Sequence, residues 1–148
     1  MKRLIFSFIF SAFAFTIFAQ NPRFASREER LDAAYSTTLF NTNNAVYFDM
    51  LNDPQAIGAK SYLNILDWLQ GRVAGLQVYT VNNNERIAYI RNSVAGVYVD
   101  EVWRDPSFLD ALPIFDIGLI KIIKGPAVAA INSPGGVIAI YTVVDSSL

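Results

Sequence analysis

The sequence predicts an α+β domain: a small mixed sheet of about four to five strands with two or three short helices packed on it. Three observations carry that expectation. Tyr62, Ile65, Leu66, Leu69 and Val73 recur at the spacing of one helix face, the apolar stripe of an amphipathic helix. The stretches 119–124 and 137–144 are rich in Ile and Val, as buried strands are. Clusters of Gly, Pro and Asn separate these runs and mark turns.

Taken in order, Ser26 and Glu29 satisfy the S-x-x-E capping box, and Leu31, Ala34, Tyr35 and Leu39 follow with helical spacing, so a short helix is expected over 27–39. NTNN at 41–44 is a turn, 45–51 an apolar run, and NDP at 52–54 a second turn. Residues 20–60 therefore read as a separate, more polar, partly helical segment, or equally as an arm loosely docked on the domain that spans 61–148. Ser61 is the expected N-cap of the amphipathic helix. Gly71 and Gly75 bracket its end, where a left-handed cap residue favours Gly, and they let the helix pack closely on the next strand. Strands are expected at 76–81, 87–91 and 97–100, with NNN at 82–84 as a turn. Pro106 and Pro113 bracket a short helix over 106–112. After the strand at 119–124, Gly125-Pro126 breaks the chain and 127–131 forms a helical turn or two. Pro134-Gly135-Gly136 then turns into the last strand.

Composition narrows the chemistry. The chain has 148 residues, no Cys, no His and a formal net charge of −1. Disulfides, thiolate nucleophiles and Cys- or His-centred metal sites are excluded, and so is any Ser-His-Asp or Cys-His arrangement within this chain. The near-neutral charge argues against a nucleic-acid partner. The apolar excess is concentrated at the start. Lys2 and Arg3 precede an apolar run through Ala19, which reads as a secretory signal peptide over 1–19 with cleavage before Gln20. The run is short for a membrane-spanning helix, and without Cys no lipoprotein is expected. Cleavage leaves ten basic against thirteen acidic residues, so the exported chain carries −3. The expected location is the periplasm or the periplasmic side of an outer membrane, with no span of its own.

Few side chains are arranged for catalysis. Asp100, Glu101, Asp105 and Asp110 fall close together, and a carboxylate pair among Asp100, Asp105 and Asp110 would be the minimum for a small secreted carbohydrate-active enzyme. A solvated loop after the strand at 97–100 is by far the simpler account of them, and they do not match a calcium loop. The Gly-bearing stretches at 124–126 and 133–136 contain Pro126 and Pro134, which remove donors a phosphate loop needs; they read as turns. No cofactor and no metal site is expected. Trp68, within the helix, reads as cover for the edge of the core. Trp103 and Arg104, in an expected loop, are the pair best suited to touch a ligand or partner.

From Ile65 to Thr142 the chain resembles the plug domain of TonB-dependent outer-membrane receptors, in particular the SusC/RagA-like nutrient importers. The leading motif is LQGRVAGLQV at Leu69–Val78, containing Leu69, Gly71, Arg72 and Gly75. Ile90-Arg91 is similar to the start of the family's IRG element, and Val97-Tyr98-Val99-Asp100 to its YVVDG strand. Asp116-Ile117 through Lys124-Gly125-Pro126-Ala127 and then Gly135-Gly136-Val137-Ile138 through Thr142 complete the order of blocks. The resemblance implies structural roles for these residues and a domain that acts by binding, not by catalysis. In the family the plug closes the lumen of a β-barrel, and a periplasmic partner grips a segment before it by strand addition.

The departures are specific. Asn92 stands where the IRG element has Gly, and Glu101 where YVVDG has Gly. No persuasive gripped segment is read in 20–60, where 45–51 is the sole apolar candidate, and no barrel sequence follows within the chain. The expectation is thus a stand-alone plug-like binding domain of the bacterial envelope, with a separate outer-membrane β-barrel or another envelope protein as partner. The alternative is an inactive remnant of a truncated receptor.

Overall fold

The strand Ile117–Ile123 is buried along its whole length, and both of its faces are covered by different parts of the chain. It is seen in a computed structural model that describes residues 25–42, 45–81, 84–125, 128, 131 and 133–143. The elements are α1 (Arg27–Ala34), β1 (Ala45–Asp49), α2 (Pro54–Ile57), a 3-10 turn (Gly58–Ser61) and α3 (Ile65–Gln70). They continue with β2 (Leu76–Thr80), β3 (Arg86–Ile90), β4 (Ser93–Val94), β5 (Gly96–Val99) and β6 (Val102–Arg104). Then follow α4 (Phe108–Ala111), a 3-10 turn (Ile114–Asp116), β7 (Ile117–Ile123) and β8 (Val137–Thr142). The fold class is the expected one, α+β. The strands divide into a five-stranded sheet, β1-β7-β8-β5-β6, and a three-stranded sheet, β2-β3-β4. The larger sheet is mixed, because β5 runs parallel to β8 while its other pairs are antiparallel.

One face of the larger sheet carries Phe48, Val97, Val99, Ile120, Ile122, Ile138 and Ile140, packed in one cluster with α3, α4 and the smaller sheet. A register shift between Ile117 and Leu119 adds one residue to β7, which turns Ile117 onto this face as well. The helix α3 buries Ile65, Leu66, Trp68 and Leu69 here, each contributing roughly 1.5–3 kcal/mol of apolar burial. Trp68 is fully buried, edge-on to Phe48 at 4.9 Å, so it belongs to the centre of the core and not to its edge.

The opposite face carries Leu119, Ile123, Val137, Ala139 and Tyr141, and is covered by Leu31 and Phe40 with Tyr35 beside them. Residues 25–60 therefore contribute both cover and a strand: β1 pairs with β7 from Ala45↔Ile123 to Asp49↔Leu119. The expectation of a loosely docked arm misses this pairing, because a five-residue strand cannot be recognised until its partner is known.

Local signals explain most element ends. The Ser26–Glu29 capping box forms in both directions. The helix α1 ends at Ala34, earlier than the expected 39, because Ser36 adopts φ 49° and the Ser36 and Thr37 amides donate back to Ala33 and Asp32. That is a Schellman ending with Ser in the usual Gly place. The amphipathic helix begins at Asn64, not Ser61. The Asn64 side chain accepts the Leu66 amide at 2.7 Å, whereas Ser61 closes a 3-10 turn and Tyr62 is extended. Gly71 caps α3 with an ordinary right-handed φ of −85°; of the two glycines only Gly75, at φ +75°, needs the left-handed region. A Cβ at either would meet nothing within 4 Å, so close packing is not their reason. The expected features at 1–19, 43–44, 82–83, 126–127, 129–130 and 144 lie outside the described residues.

Candidate functional site

Residues of the five sequence blocks make contacts within each sheet, and Lys124, Gly135 and Gly136 also reach from the larger sheet to the smaller one and the turn before it. The Arg91 amide donates to the Gly75 carbonyl at 3.2 Å, linking β3 to the turn before β2. The Lys124 ammonium donates to the Ala74 carbonyl at 2.5 Å, reaching the same turn from the end of β7. Burial and the neighbouring Arg91 charge both lower the Lys124 pKa. Gly135 lies against the Ile90 carbonyl and Ser93 so closely that any Cβ there would collide with backbone. Gly136, at φ +150°, accepts the Gly96 amide at 3.0 Å through its carbonyl. Leu69 is fully buried, and the Arg72 guanidinium lies 4.6 Å from the Trp68 ring and 5.6 Å from the Tyr62 ring while donating to the Trp68 carbonyl at 3.1 Å. Gly125 takes φ +133° at the end of β7, and Pro126 lies outside the described residues.

Asn92 and Glu101, the two positions where the resemblance leads one to expect Gly, lie at hairpin tips. Two-residue loops, Arg91-Asn92 and Asp100-Glu101, close the pairs Ile90↔Ser93 and Val99↔Val102. All four residues have positive φ: 52°, 63°, 49° and 65°. This is the primed-turn geometry that matches the twist of the strands and favours Asn or Gly, each left-handed non-Gly residue costing about 1 kcal/mol. At Glu101 the side chain offsets that cost. Its carboxylate accepts from the Thr38 amide and hydroxyl, from the Leu39 amide at 2.9 Å and from the Tyr141 hydroxyl at 3.2 Å. Asp100, on the same tip, accepts from the Thr142 amide at 2.9 Å and hydroxyl at 2.8 Å. The β5–β6 hairpin is thereby fixed to β8 and to the segment after α1.

Beneath that segment sits a charged group no motif announced. Lys121, fully buried on β7, donates to Asp32 of α1 at 2.6 Å and to the Phe40 carbonyl at 2.7 Å, with its ammonium 4.8 Å from the Tyr141 ring. Burial lowers the Lys121 pKa, and Asp32 only partly restores it. Burial raises the Asp32 pKa, but hydrogen bonds from Lys121, Thr42 and Thr37 outweigh it and hold the carboxyl at about 2. Burial and the facing Glu101 charge raise the Tyr141 pKa. The only sequence signal was a Lys inside an otherwise apolar strand.

Trp103 and Arg104 lie on β6, an edge strand rather than a loop. All three residues of β6 are exposed, Val102 at 53% and Trp103 at 59%. Arg104 places its guanidinium 5.6 Å from the Phe108 ring. The nearby acids do not converge. Asp105 caps the Ser107 amide and hydroxyl, and Asp110 accepts from Asn64, while Asp100 and Glu101 are engaged as above. Among the described residues no group of three or more acids could hold a metal ion. A cleft of about 240 Å³ opens between Leu39, Phe40, Tyr98 and Ile123, with Asn41 as a polar residue in its mostly apolar lining. No helix among the described residues is long and apolar enough to cross a membrane.

No family model matches the chain, and no curated protein matches it. Among solved structures it is similar to a chain of the RagAB peptide importer in its "open-open" state, with 19% identity and a TM-score of 0.49. The alignment covers 69% of this chain and 12% of that one, so the likeness concerns a small fraction of the importer's length.

Proposed function

We propose that this chain is a non-enzymatic, plug-like binding domain of the bacterial cell envelope, related to TonB-dependent nutrient receptors and acting on the periplasmic side of the outer membrane. The observation that supports it best is the use to which the resemblance blocks are put. Arg91, Lys124, Gly135 and Gly136 bond to or pack on backbone of other blocks, and Asp100 ties β5 to β8. Residues retained in this pattern serve shape. The exposed side chains Trp103 and Arg104 then supply contact to a partner, for which an outer-membrane β-barrel is the first choice.

Affinity capture from outer-membrane extracts tests this reading, with the leaderless protein as bait and an unfolded Gly135→Val variant as control. Enrichment of a β-barrel protein by the folded bait alone is the expected result. Equal recovery on both baits, or recovery of no barrel, would remove the proposal. Turnover of any member of an oligosaccharide panel, abolished by substitution of Asp100, Asp105 or Asp110, would establish the enzyme alternative in its place.

A further inference from the structure

We propose that the open edge of β6 is a docking site for an extended segment of a partner polypeptide that carries an acidic side chain. The inference rests on the reading of the chain as a binding domain and names the surface and the chemistry of its partner. Among the described residues β6 pairs only with β5 and ends the larger sheet. In the two-residue hairpin the closing pair Val99↔Val102 is the hydrogen-bonded one, so the next pair, Tyr98↔Trp103, is not. The Trp103 N–H and C=O therefore point away from β5, toward the open edge. Backbone groups presented in this way are satisfied by another strand.

The side chains decide which strand. Trp103 shares the face of Tyr98 and offers an exposed indole, while Val102 and Arg104 lie on the other face. Arg104 makes no ion pair with any described residue, and its guanidinium lies against the Phe108 ring. A carboxylate one residue from an apolar side chain on the incoming strand would complement that cation and the indole. A second copy of this chain fits less well. Antiparallel self-pairing about Trp103 would set Glu101 opposite Asp105 of the second copy, and like charges opposed across strands are unfavourable. The hairpin is also fixed in advance by Asp100 to Thr142 and by Glu101 to Leu39, so docking need not order it.

Selection of a displayed random heptapeptide library on the purified protein tests the proposal. Enriched peptides are expected to alternate apolar residues with Asp or Glu and to slow hydrogen exchange at the Trp103 amide. Trp103→Ala should weaken their binding by about tenfold or more, with exchange elsewhere in the domain unchanged. Arg104→Glu should shift the selected sequences from acidic to basic. Absence of enrichment, binding indifferent to both substitutions, or a concentration-dependent dimer that protects Trp103 without peptide would overturn it. Any of these would leave the envelope-binding reading standing, since barrel capture samples the whole surface.

Discussion

Glu101 and Thr38 are joined by two hydrogen bonds, from the Thr38 amide and hydroxyl to the Glu101 carboxylate, across 63 positions of sequence. The bond fastens the tip of the β5–β6 hairpin to the segment that covers the second face of the larger sheet. It also explains how a Glu persists at φ 65°, a conformation that favours Gly. Replacement of Glu101 by Ala should destabilise the protein by about 2 kcal/mol, because the bonds are lost while the left-handed strain remains. Glu101→Gly should cost about 1 kcal/mol less than Ala, since it relieves the strain. Urea denaturation ranks the three; a Gly variant more stable than the parent would show that the carboxylate's hydrogen bonds are worth less than the left-handed strain they are said to offset.

The pairing of buried Lys121 with partly exposed Asp32 predicts strong coupling between α1 and β7. Asp32→Ala leaves the fully buried Lys121 without its counter-charge and should cost about 3 kcal/mol. Adding Lys121→Met should recover much of that loss, because an apolar residue needs no partner on this face. A double-mutant cycle in which the two changes simply add would contradict the pairing.

The same pair sets an acid limit. The Asp32 carboxyl titrates at about 2 in the folded protein against an ordinary value of 3.8, so its folded-state pKa is depressed. The stabilisation is fully present above pH 4 and is lost as the pH falls from about 4 toward 2. Glu101 is shifted in the same direction: burial raises its pKa, and the Thr38 and Leu39 hydrogen bonds more than reverse that. Stability measured across this window should fall less steeply in Asp32→Asn than in the parent. Identical slopes would show that Asp32 is not the group responsible.

Two glycines of the resemblance blocks should respond in opposite ways. Gly135→Ala drives a Cβ into the Ile90 carbonyl and Ser93, and should cost about 3 kcal/mol. Gly71→Ala enters open space at a right-handed φ of −85° and should gain about 0.5 kcal/mol. Thermal unfolding of the two variants decides; comparable losses at both would mean that Gly71 has a packing role.

What the sequence revealed and what it concealed follow from the range of the signals. The Ser26–Glu29 box and the turn glycine Gly75 act within a few residues, and they read correctly. The stripe through Ile65, Leu66 and Leu69 marked the core helix, although Asn64 capped it in place of Ser61. The strands β4 and β6, of two and three residues, are too short to show a period and exist because a hairpin turn precedes each. That left Trp103 in an apparent loop. Lys121 is buried only because α1 and the loop after it fold back over β7, a contact between residues 89 positions apart. No local pattern encodes such a contact.

The central claim, a domain that binds an envelope partner through its exposed hairpin edge, is tested most directly by photo-crosslinking in living cells. A benzophenone amino acid at position 103 of the full chain should give a discrete adduct with an outer-membrane β-barrel protein. The same group at position 57, where Ile57 is 55% exposed on α2, should give none. No adduct at 103, or equal labelling from both positions, would contradict the account.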